Sequence, residues 1–149
     1  MIEIPPECFE ERGHLGALLV CEEGRCKMVF RKPKNRTADL IRVDHCVLQR
    51  GPACDYLVMD WLGRKHFVEL KGRHVEEGLK QIGATIPHFL DSGSEEELWC
   101  FVICTACAPA TLPGRQVEEA RIRKRWRNAR ISVKEKHAEH VIRVPGEAR

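Results

Sequence analysis

Apolar residues alternate with polar ones, or form short unbroken runs, at several places along this chain, as they do in the strands of a sheet. Turn-forming residues such as Lys32-Pro33-Lys34-Asn35-Arg36 separate these stretches. We predict strands over residues 26–31, 40–48, 55–61, 65–71 and 98–105, with an edge strand over residues 141–144. The residues before about Val20 fit a helix and a strand equally well.

Apolar residues recur at helical spacing in a further stretch, which contains Val75, Leu79, Ile82, Ile86 and Phe89. This spacing predicts an amphipathic helix that lies on the sheet and is bent or ended by Pro87. A second helix is predicted over residues 116–129. Strands followed by helix, strand and helix indicate an α/β protein, with a mixed central β-sheet flanked by helices.

The chain has 149 residues, of which 43% are hydrophobic and 32% charged, enough for one domain over residues 1–149 with a substantial core. Its formal charge is only +3, so affinity for nucleic acid requires a local basic patch. Without a recognisable signal peptide or a bilayer-spanning run, we expect no membrane association and a cytoplasmic location. In that reducing compartment the eight cysteines are expected to be free thiols or metal ligands rather than disulfides.

Charged residues stand inside two of the predicted strands, where charges are rare unless they have a function. Asp55 begins one strand, and Glu69 and Lys71 share one face near the end of the next. A three-residue loop at Leu62-Gly63-Arg64 would pair Asp55 with Lys71 and put Glu69 diagonal to Asp55. Two carboxylates and an ammonium would then converge, which suits a hard divalent cation and an anionic substrate. The alternative is a surface ion pair of little consequence.

This pattern resembles the PD-(D/E)XK nuclease superfamily, whose restriction-endonuclease-like fold has an acidic residue on one strand and Glu-x-Lys on the next. The resemblance covers residues 43–89, with Asp55 as the acidic residue and Glu69-Leu70-Lys71 as the triplet. It implies an αβββαβ core in which the helix after the triplet carries Gln81. One departure is Cys54, which stands where the superfamily usually has proline.

The resemblance also implies a chemistry. Asp55, Glu69 and the backbone carbonyl of Leu70 would hold Mg²⁺, which Mn²⁺ can replace, and Lys71 would assist the attacking water or stabilise the developing charge. Gln81 would hold a water or a phosphate, unless it is a solvated residue on the flank of its helix. We therefore expect a nuclease that acts on nucleic acid, DNA foremost, as a homodimer or with a partner protein. The competing interpretation is a non-catalytic nucleic-acid-binding or interaction module of the same fold.

Three closely spaced cysteines suggest a different function. Cys100, Cys104 and Cys107 are spaced for a metal or iron–sulfur site, with Cys46 or Cys8 as the fourth ligand. Buried free thiols on a core strand are the alternative, since cysteine is among the most buried residue types.

Basic residues are concentrated near the second predicted helix. Between Arg115 and Arg130, seven basic residues accompany only two acidic ones. We predict that Arg123, Lys124 and Arg127 bind nucleic-acid phosphates. The same cations suit the dipole at a helix C-terminus, so a solvated helix explains the pattern equally well.

Overall fold

The computed structural model describes residues 2–72, 74–107, 109 and 112–146, and at Lys71 and Gly72 it describes the backbone alone. Within these residues the chain is a mixed α/β protein. Its elements in chain order are β1 (Phe9–His14), β2 (Leu18–Glu23), β3 (Cys26–Arg31), β4 (Ala38–Arg42), β5 (Tyr56–Asp60), β6 (Lys65–Gly72), α1 (Val75–Thr85), β7 (Leu98–Cys104), α2 (Pro113–Arg125), β8 (Ala129–Glu135) and β9 (His137–Val141).

Six strands form the central sheet in the order β1-β4-β5-β6-β7-β8. Strands β4, β5 and β6 are an antiparallel meander, whereas β6, β7 and β8 are parallel and connected through the two helices. The carboxyl ends of the three parallel strands therefore meet at one edge of the sheet, together with the N-termini of α1 and α2. We call this side of the sheet, at which the parallel strands end, the carboxyl edge, and the opposite side, at which they begin, the amino edge.

A second, three-stranded sheet in the order β2-β3-β9 covers the face of the central sheet opposite the helices. Alternating side chains of the central strands thus enter two different cores. Leu57, Phe67 and Val102 pack with Leu79 and Ile82 of α1 on the helical side. On the other side the central strands pack against β2, β3 and β9 through Val58, Val68, Phe101, Met28 and Phe30.

The helices lie on one face only, and the first helix of the predicted αβββαβ order does not occur in the described residues 2–72. The chain forms strands there instead, because Leu18–Glu23 alternates exposed and buried side chains with the period of a half-buried strand. The turn at Gly24, whose φ is +56°, returns the chain into β3. These strands belong to the second sheet, so the N-terminal region covers the central sheet with strands instead of the predicted first helix.

The disulfides also correct the sequence interpretation. Cys8 is bonded to Cys46 and Cys104 to Cys107, whereas Cys21, Cys26, Cys54 and Cys100 are buried free thiols. In this structure Cys104 and Cys107 are bonded to each other rather than arranged around a metal, and of the three closely spaced cysteines Cys100 is the buried free thiol that the alternative interpretation expects. The prediction of a reducing, cytoplasmic location rested on the lack of a recognisable signal peptide, and the two disulfides are not what that location predicts for the cysteines. No helix in the described part of the chain is long and apolar enough to cross a membrane.

Candidate active site

The hairpin of β5 and β6 brings the two predicted acids together in a register different from the one expected. The loop is Trp61-Leu62-Gly63, closed by the Asp60 amide, which donates to the Arg64 carbonyl at 3.2 Å. Met59 therefore pairs with Lys65 and Tyr56 with Val68, and one further step places Asp55 directly opposite Glu69. The predicted pairing of Asp55 with Lys71 is wrong. Both loops have three residues, so Asp55 and Glu69 still share one face of the ribbon.

Reciprocal hydrogen bonds connect the two acids to each other's strands. The backbone amide of Asp55 donates to Oε1 of Glu69 at 3.1 Å, and the amide of Leu70 donates to Oδ2 of Asp55 at 2.8 Å. Both residues are almost completely buried, with exposed fractions of 5% for Asp55 and 6% for Glu69. Two carboxylates so close together and so far from water are an unusual arrangement, because burial disfavours their charged forms.

Helix α1 supplies polar contacts to this pair through residues one turn apart. With its nitrogen turned toward the site, the Gln81 amide donates to both carboxylate oxygens of Glu69. Thr85 Oγ1 accepts a hydrogen bond from the Cys54 amide at 2.8 Å and donates to the Gln81 carbonyl at 2.7 Å. The helix is thereby tied to the chain just before Asp55 and to the side chain of Glu69. Gln81 is in contact with the site rather than solvated on the helix flank.

Gly78 lets α1 approach the sheet closely above Glu69. A Cβ atom at this position would lie 3.0 Å from Cγ1 of Val102 and 3.3 Å from Cγ of Glu69, closer than ordinary van der Waals contact. Gly83 on the same helix is different, since its added Cβ would meet Ile122 at an ordinary 3.6 Å. The close approach over Glu69 thus depends on the glycine at position 78.

Of Lys71, the third residue of the predicted triplet Glu69-Leu70-Lys71, the structure describes the backbone alone. The backbone of Lys71 belongs to β6, just past Glu69, where the regular pairing with β7 is interrupted before Gly72 meets Cys104. Its side chain lies outside the described residues. Among the side chains that are described, no group of three or more His, Cys, Asp or Glu could hold a metal ion. The acidic ligands that the structure brings together are Asp55 and Glu69.

Cys54 lies next to Asp55 but is not a nucleophile in this state. Burial raises the pKa of its thiol well above the ordinary value, and the nearby carboxylates of Glu69 and Asp55 act in the same direction, although Thr85 opposes them. Burial likewise raises the pKa of Cys100 to about 12. Both thiols are therefore protonated near neutral pH and are side chains of the core.

The predicted phosphate-binding cations lie far from the acids. Arg123 and Lys124 are on the exposed last turn of α2, and Arg127 follows the helix and forms an ion pair with Glu95 at 3.7 Å. The N-terminus of α2 is at the carboxyl edge, where Gly114 lies against the Glu76 carboxylate of α1. A helix of 13 residues is roughly 20 Å long, so these cations are near the amino edge.

Sequence reasoning missed Thr85, whose side chain positions this site. Its signal was its spacing, because Gly78, Gln81 and Thr85 follow one another at intervals of three and four residues and thus share one face of the helix. That face also carries the apolar stripe that packs on the sheet.

Comparisons with protein-family models, with curated proteins and with solved structures each find no match to this chain.

Proposed function

We propose that this chain is a metal-dependent nuclease that hydrolyses phosphodiester bonds of nucleic acid, with DNA as the expected substrate. The observation that carries the proposal is the direct opposition of Asp55 and Glu69 at the end of a buried hairpin. Two nearly buried carboxylates that face each other across a ladder rarely serve stability alone, since burial penalises both charges. Their position at the carboxyl edge also agrees with the place where α/β proteins generally bind ligands.

The donor set fits a divalent cation such as Mg²⁺ or Mn²⁺. Asp55 and Glu69 offer carboxylate oxygens, and the carbonyl of Leu70, between Glu69 and Lys71 on the same strand, would add a third oxygen donor. When bound, the cation would neutralise phosphate oxygens and lower the pKa of a coordinated water. The chain offers oxygen ligands here and no thiolate, as expected for a hard cation rather than for zinc.

The protein's own residues hold these acids in place. The Leu70 amide orients Asp55, while the Asp55 amide and the Gln81 side chain orient Glu69. Hydrogen bonds from uncharged donors favour the ionised form of a carboxylate, which is the form that binds a cation. Lys71 would orient or deprotonate the attacking water, or stabilise the charge that develops on the phosphate. These roles make Gln81 a positioning residue and leave the chemistry to Asp55, Glu69 and Lys71.

The arrangement of the central strands also supports the proposal. The run β4-β5-β6-α1-β7 consists of three antiparallel strands, a helix and a fourth strand parallel to the third. This order agrees with the βββαβ portion that the resemblance to the restriction-endonuclease-like core implies, with Asp55 just before the second of these strands and Glu69 on the third. The α2 cations fit the same function if one duplex spans both features. Helix α2, whose last turn carries Arg123 and Lys124, is roughly 20 Å long, which corresponds to about six base pairs at 3.4 Å each.

Cleavage assays on single-stranded and duplex DNA and RNA, with Mg²⁺, with Mn²⁺ and with chelator, test the proposal. We expect metal-dependent cleavage by the wild type, and at least about a 100-fold loss in both Glu69→Gln and Lys71→Ala. Glu77→Gln, which changes an exposed acid on α1, is the matched control and should cleave normally. Cleavage by Glu69→Gln at the wild-type rate would contradict the site. Binding of nucleic acid without cleavage in either metal would favour the non-catalytic module.

A further inference from the structure

A Cys-x-x-Cys motif lies at the carboxyl edge of the central sheet, where β7 ends. Its residues are Cys104-Thr105-Ala106-Cys107, and its two cysteines form a disulfide. Cys104 is the last residue of β7, and Cys107 stands in the segment that leads to α2. We call this bond the short-loop disulfide. It includes neither Asp55 nor Glu69, so the inference drawn from it does not depend on the proposed nuclease activity.

The two cysteines have different surroundings. Cys104 is completely buried and is paired with Gly72 of β6 on one side and with Glu135 of β8 on the other. The Lys136 amide also donates to the Cys104 carbonyl at 2.8 Å. Cys107 is partly exposed and belongs to no strand or helix. A reagent in solution therefore has access to Cys107 rather than to Cys104, and the sheet holds Cys104 in place independently of the disulfide.

The fold also accommodates the proton that reduction would add to Cys104. The carbonyl oxygen of Lys134 on β8 lies 3.5 Å from Sγ of Cys104. A sulfur atom in a disulfide carries no proton, whereas the thiol formed on reduction can donate to this oxygen. Because a buried polar group costs little when it has a partner, reduced Cys104 fits its place in the strand.

The other disulfide differs in what it connects. Cys8 and Cys46 are 38 residues apart in sequence, and their bond joins the chain before β1 to the segment after β4. The cysteines of the short-loop disulfide are only 3 residues apart. A disulfide stabilises a fold mainly by restricting the unfolded chain, and the restriction grows with the length of the loop that it closes. The folded state should therefore depend on the Cys8–Cys46 bond and tolerate loss of the short-loop disulfide.

The spacing of the two cysteines is typical of redox-active motifs. A Cys-x-x-Cys sequence near a β-α-β unit is the pattern of disulfide oxidoreductases. Strands β6 and β7, which are parallel and joined through α1, form such a unit, and it ends at Cys104. We propose that the short-loop disulfide is a site of reversible thiol–disulfide exchange with a dithiol reductant.

The exchange takes place in two steps. A thiolate of the reductant attacks Sγ of Cys107, and the electron pair of the broken S–S bond passes to Sγ of Cys104, which takes up a proton. The second thiol of the reductant then displaces Cys107 from the mixed disulfide, and Cys107 is released as a thiol. Two electrons and two protons pass to the protein, and the reductant leaves as a disulfide. A dithiol is needed because the neighbouring Cys104 thiol would expel a monothiol from Cys107 again.

Redox titration of the full chain with mixtures of reduced and oxidised dithiothreitol tests this inference. Thiols are trapped with acid, alkylated and assigned to individual cysteines by mass spectrometry, while circular dichroism follows the fold. We expect the short-loop disulfide to open and to re-form when the mixture is reversed, with an unchanged spectrum. Cys8–Cys46, as a structural disulfide, should need at least about a tenfold higher ratio of reduced to oxidised reagent. A short-loop disulfide that opens only as the protein unfolds, or only together with Cys8–Cys46, would overturn the proposal.

Two single variants test the site of attack. Cys104→Ser leaves a thiol at the partly exposed position 107, whereas Cys107→Ser leaves one at the buried position 104. We expect an aromatic disulfide reagent to react with the first thiol at least about tenfold faster than with the second in the folded protein. The double variant Cys104→Ser, Cys107→Ser keeps the buried thiols alone and gives the background rate. Equal rates in the two single variants, or a rate in Cys104→Ser no higher than the background, would contradict attack at Cys107.

Discussion

Two buried aspartates flank strand β5, Asp55 before it and Asp60 at its end, and they differ in what surrounds them. Asp60 accepts the Leu62 and Arg64 amides through Oδ1, at 2.9 and 3.1 Å, and pairs through Oδ2 with Arg64 Nε at 2.6 Å. Asp55 faces a second carboxylate, that of Glu69, and accepts the Leu70 amide. Their exposed fractions are nearly equal, 5% and 6%. Burial alone therefore does not separate a structural acid from a functional one.

The difference lies in the group that each carboxylate is held against. An arginine beside Asp60 compensates its burial and makes it part of a stable turn. Asp55 is held against a second carboxylate, that of Glu69, and two carboxylates held together offer the oxygen ligands that a divalent cation prefers. The same contrast holds for the two edges of the sheet, because the carboxyl edge brings acids together and the amino edge brings together arginines and buried histidines.

Exchange of each aspartate for asparagine should have the largest effect and should separate the two roles. Asp55→Asn keeps an oxygen for the Leu70 amide, so we expect a loss of cleavage of at least about 100-fold with a change in unfolding free energy below about 1 kcal/mol. Asp60→Asn removes the charge paired with Arg64 and should cost about 1–3 kcal/mol of stability while cleavage continues. Chemical denaturation measures the unfolding free energy of both variants, and rate assays measure their cleavage. If both variants lose cleavage alone, or both lose stability alone, the two aspartates do not have different roles.

Acid should destabilise the amino edge. Burial lowers the pKa of His66 to about 3, with smaller contributions from His140 and Arg64, and the pKa of His140 is lowered to about 4. Because the unfolded histidines take up protons near pH 6.5, stability should fall as the pH drops from there toward 4, by up to about 1.4 kcal/mol per pH unit for each histidine.

Unfolding free energies measured between pH 7.5 and 4.5 test this dependence on acid. His66→Phe should flatten the curve, whereas His137→Gln, at an exposed position on β9, should leave its slope unchanged. If the unfolding free energy falls with decreasing pH at the same slope in the wild type and in His66→Phe, then His66 does not contribute to the loss of stability in acid.

A pair of alanine substitutions on α1 should have the smallest effects. Gly83→Ala gains helix propensity where the new methyl group makes only an ordinary van der Waals contact with Ile122, and it should stabilise the protein by up to about 1 kcal/mol. Gly78→Ala gains the same propensity but crowds Val102 and Glu69, so we expect a net loss of about 1 kcal/mol and a reduced cleavage rate. Thermal unfolding and cleavage assays compare the two. Equal stabilisation by both would mean that the approach of α1 to Glu69 is not constrained.

Much of the fold could be predicted from the periodicity of apolar side chains along the sequence. Local polar contacts explain much of what this periodicity did not predict. Strand β3 has the predicted bounds, and β5, β6, α1 and β7 lie within a few residues of theirs, because their apolar stripes are continuous. The hairpin register was wrong because Asp60 forms hydrogen bonds to the loop amides and Gly63 adopts a φ of +76°, which alternation does not encode. Strand β1, the outermost strand of the central sheet, could not be predicted as a strand because its residues are mostly polar and exposed.

Within the candidate site, the face shared by Asp55 and Glu69 could be predicted, since two loops of equal length preserve it. The contacts from α1 could not, because the rotation and depth of a helix on a sheet depend on close packing at residues such as Gly78. Disulfides were missed for a related reason. Cys8 and Cys46 are 38 residues apart in sequence, and only the packed fold brings them within bonding distance.

Binding of Mn²⁺, followed by electron paramagnetic resonance without nucleic acid, tests the proposed nature of the site most directly, because it requires no knowledge of the substrate. The wild type and Asp60→Asn should each bind one ion at a saturable site. The double variant Asp55→Asn, Glu69→Gln should retain its fold by circular dichroism and bind the ion at least about tenfold more weakly. Equal affinity in the double variant, or no uptake by the wild type at millimolar Mn²⁺, would contradict the assignment of Asp55 and Glu69 as a metal site.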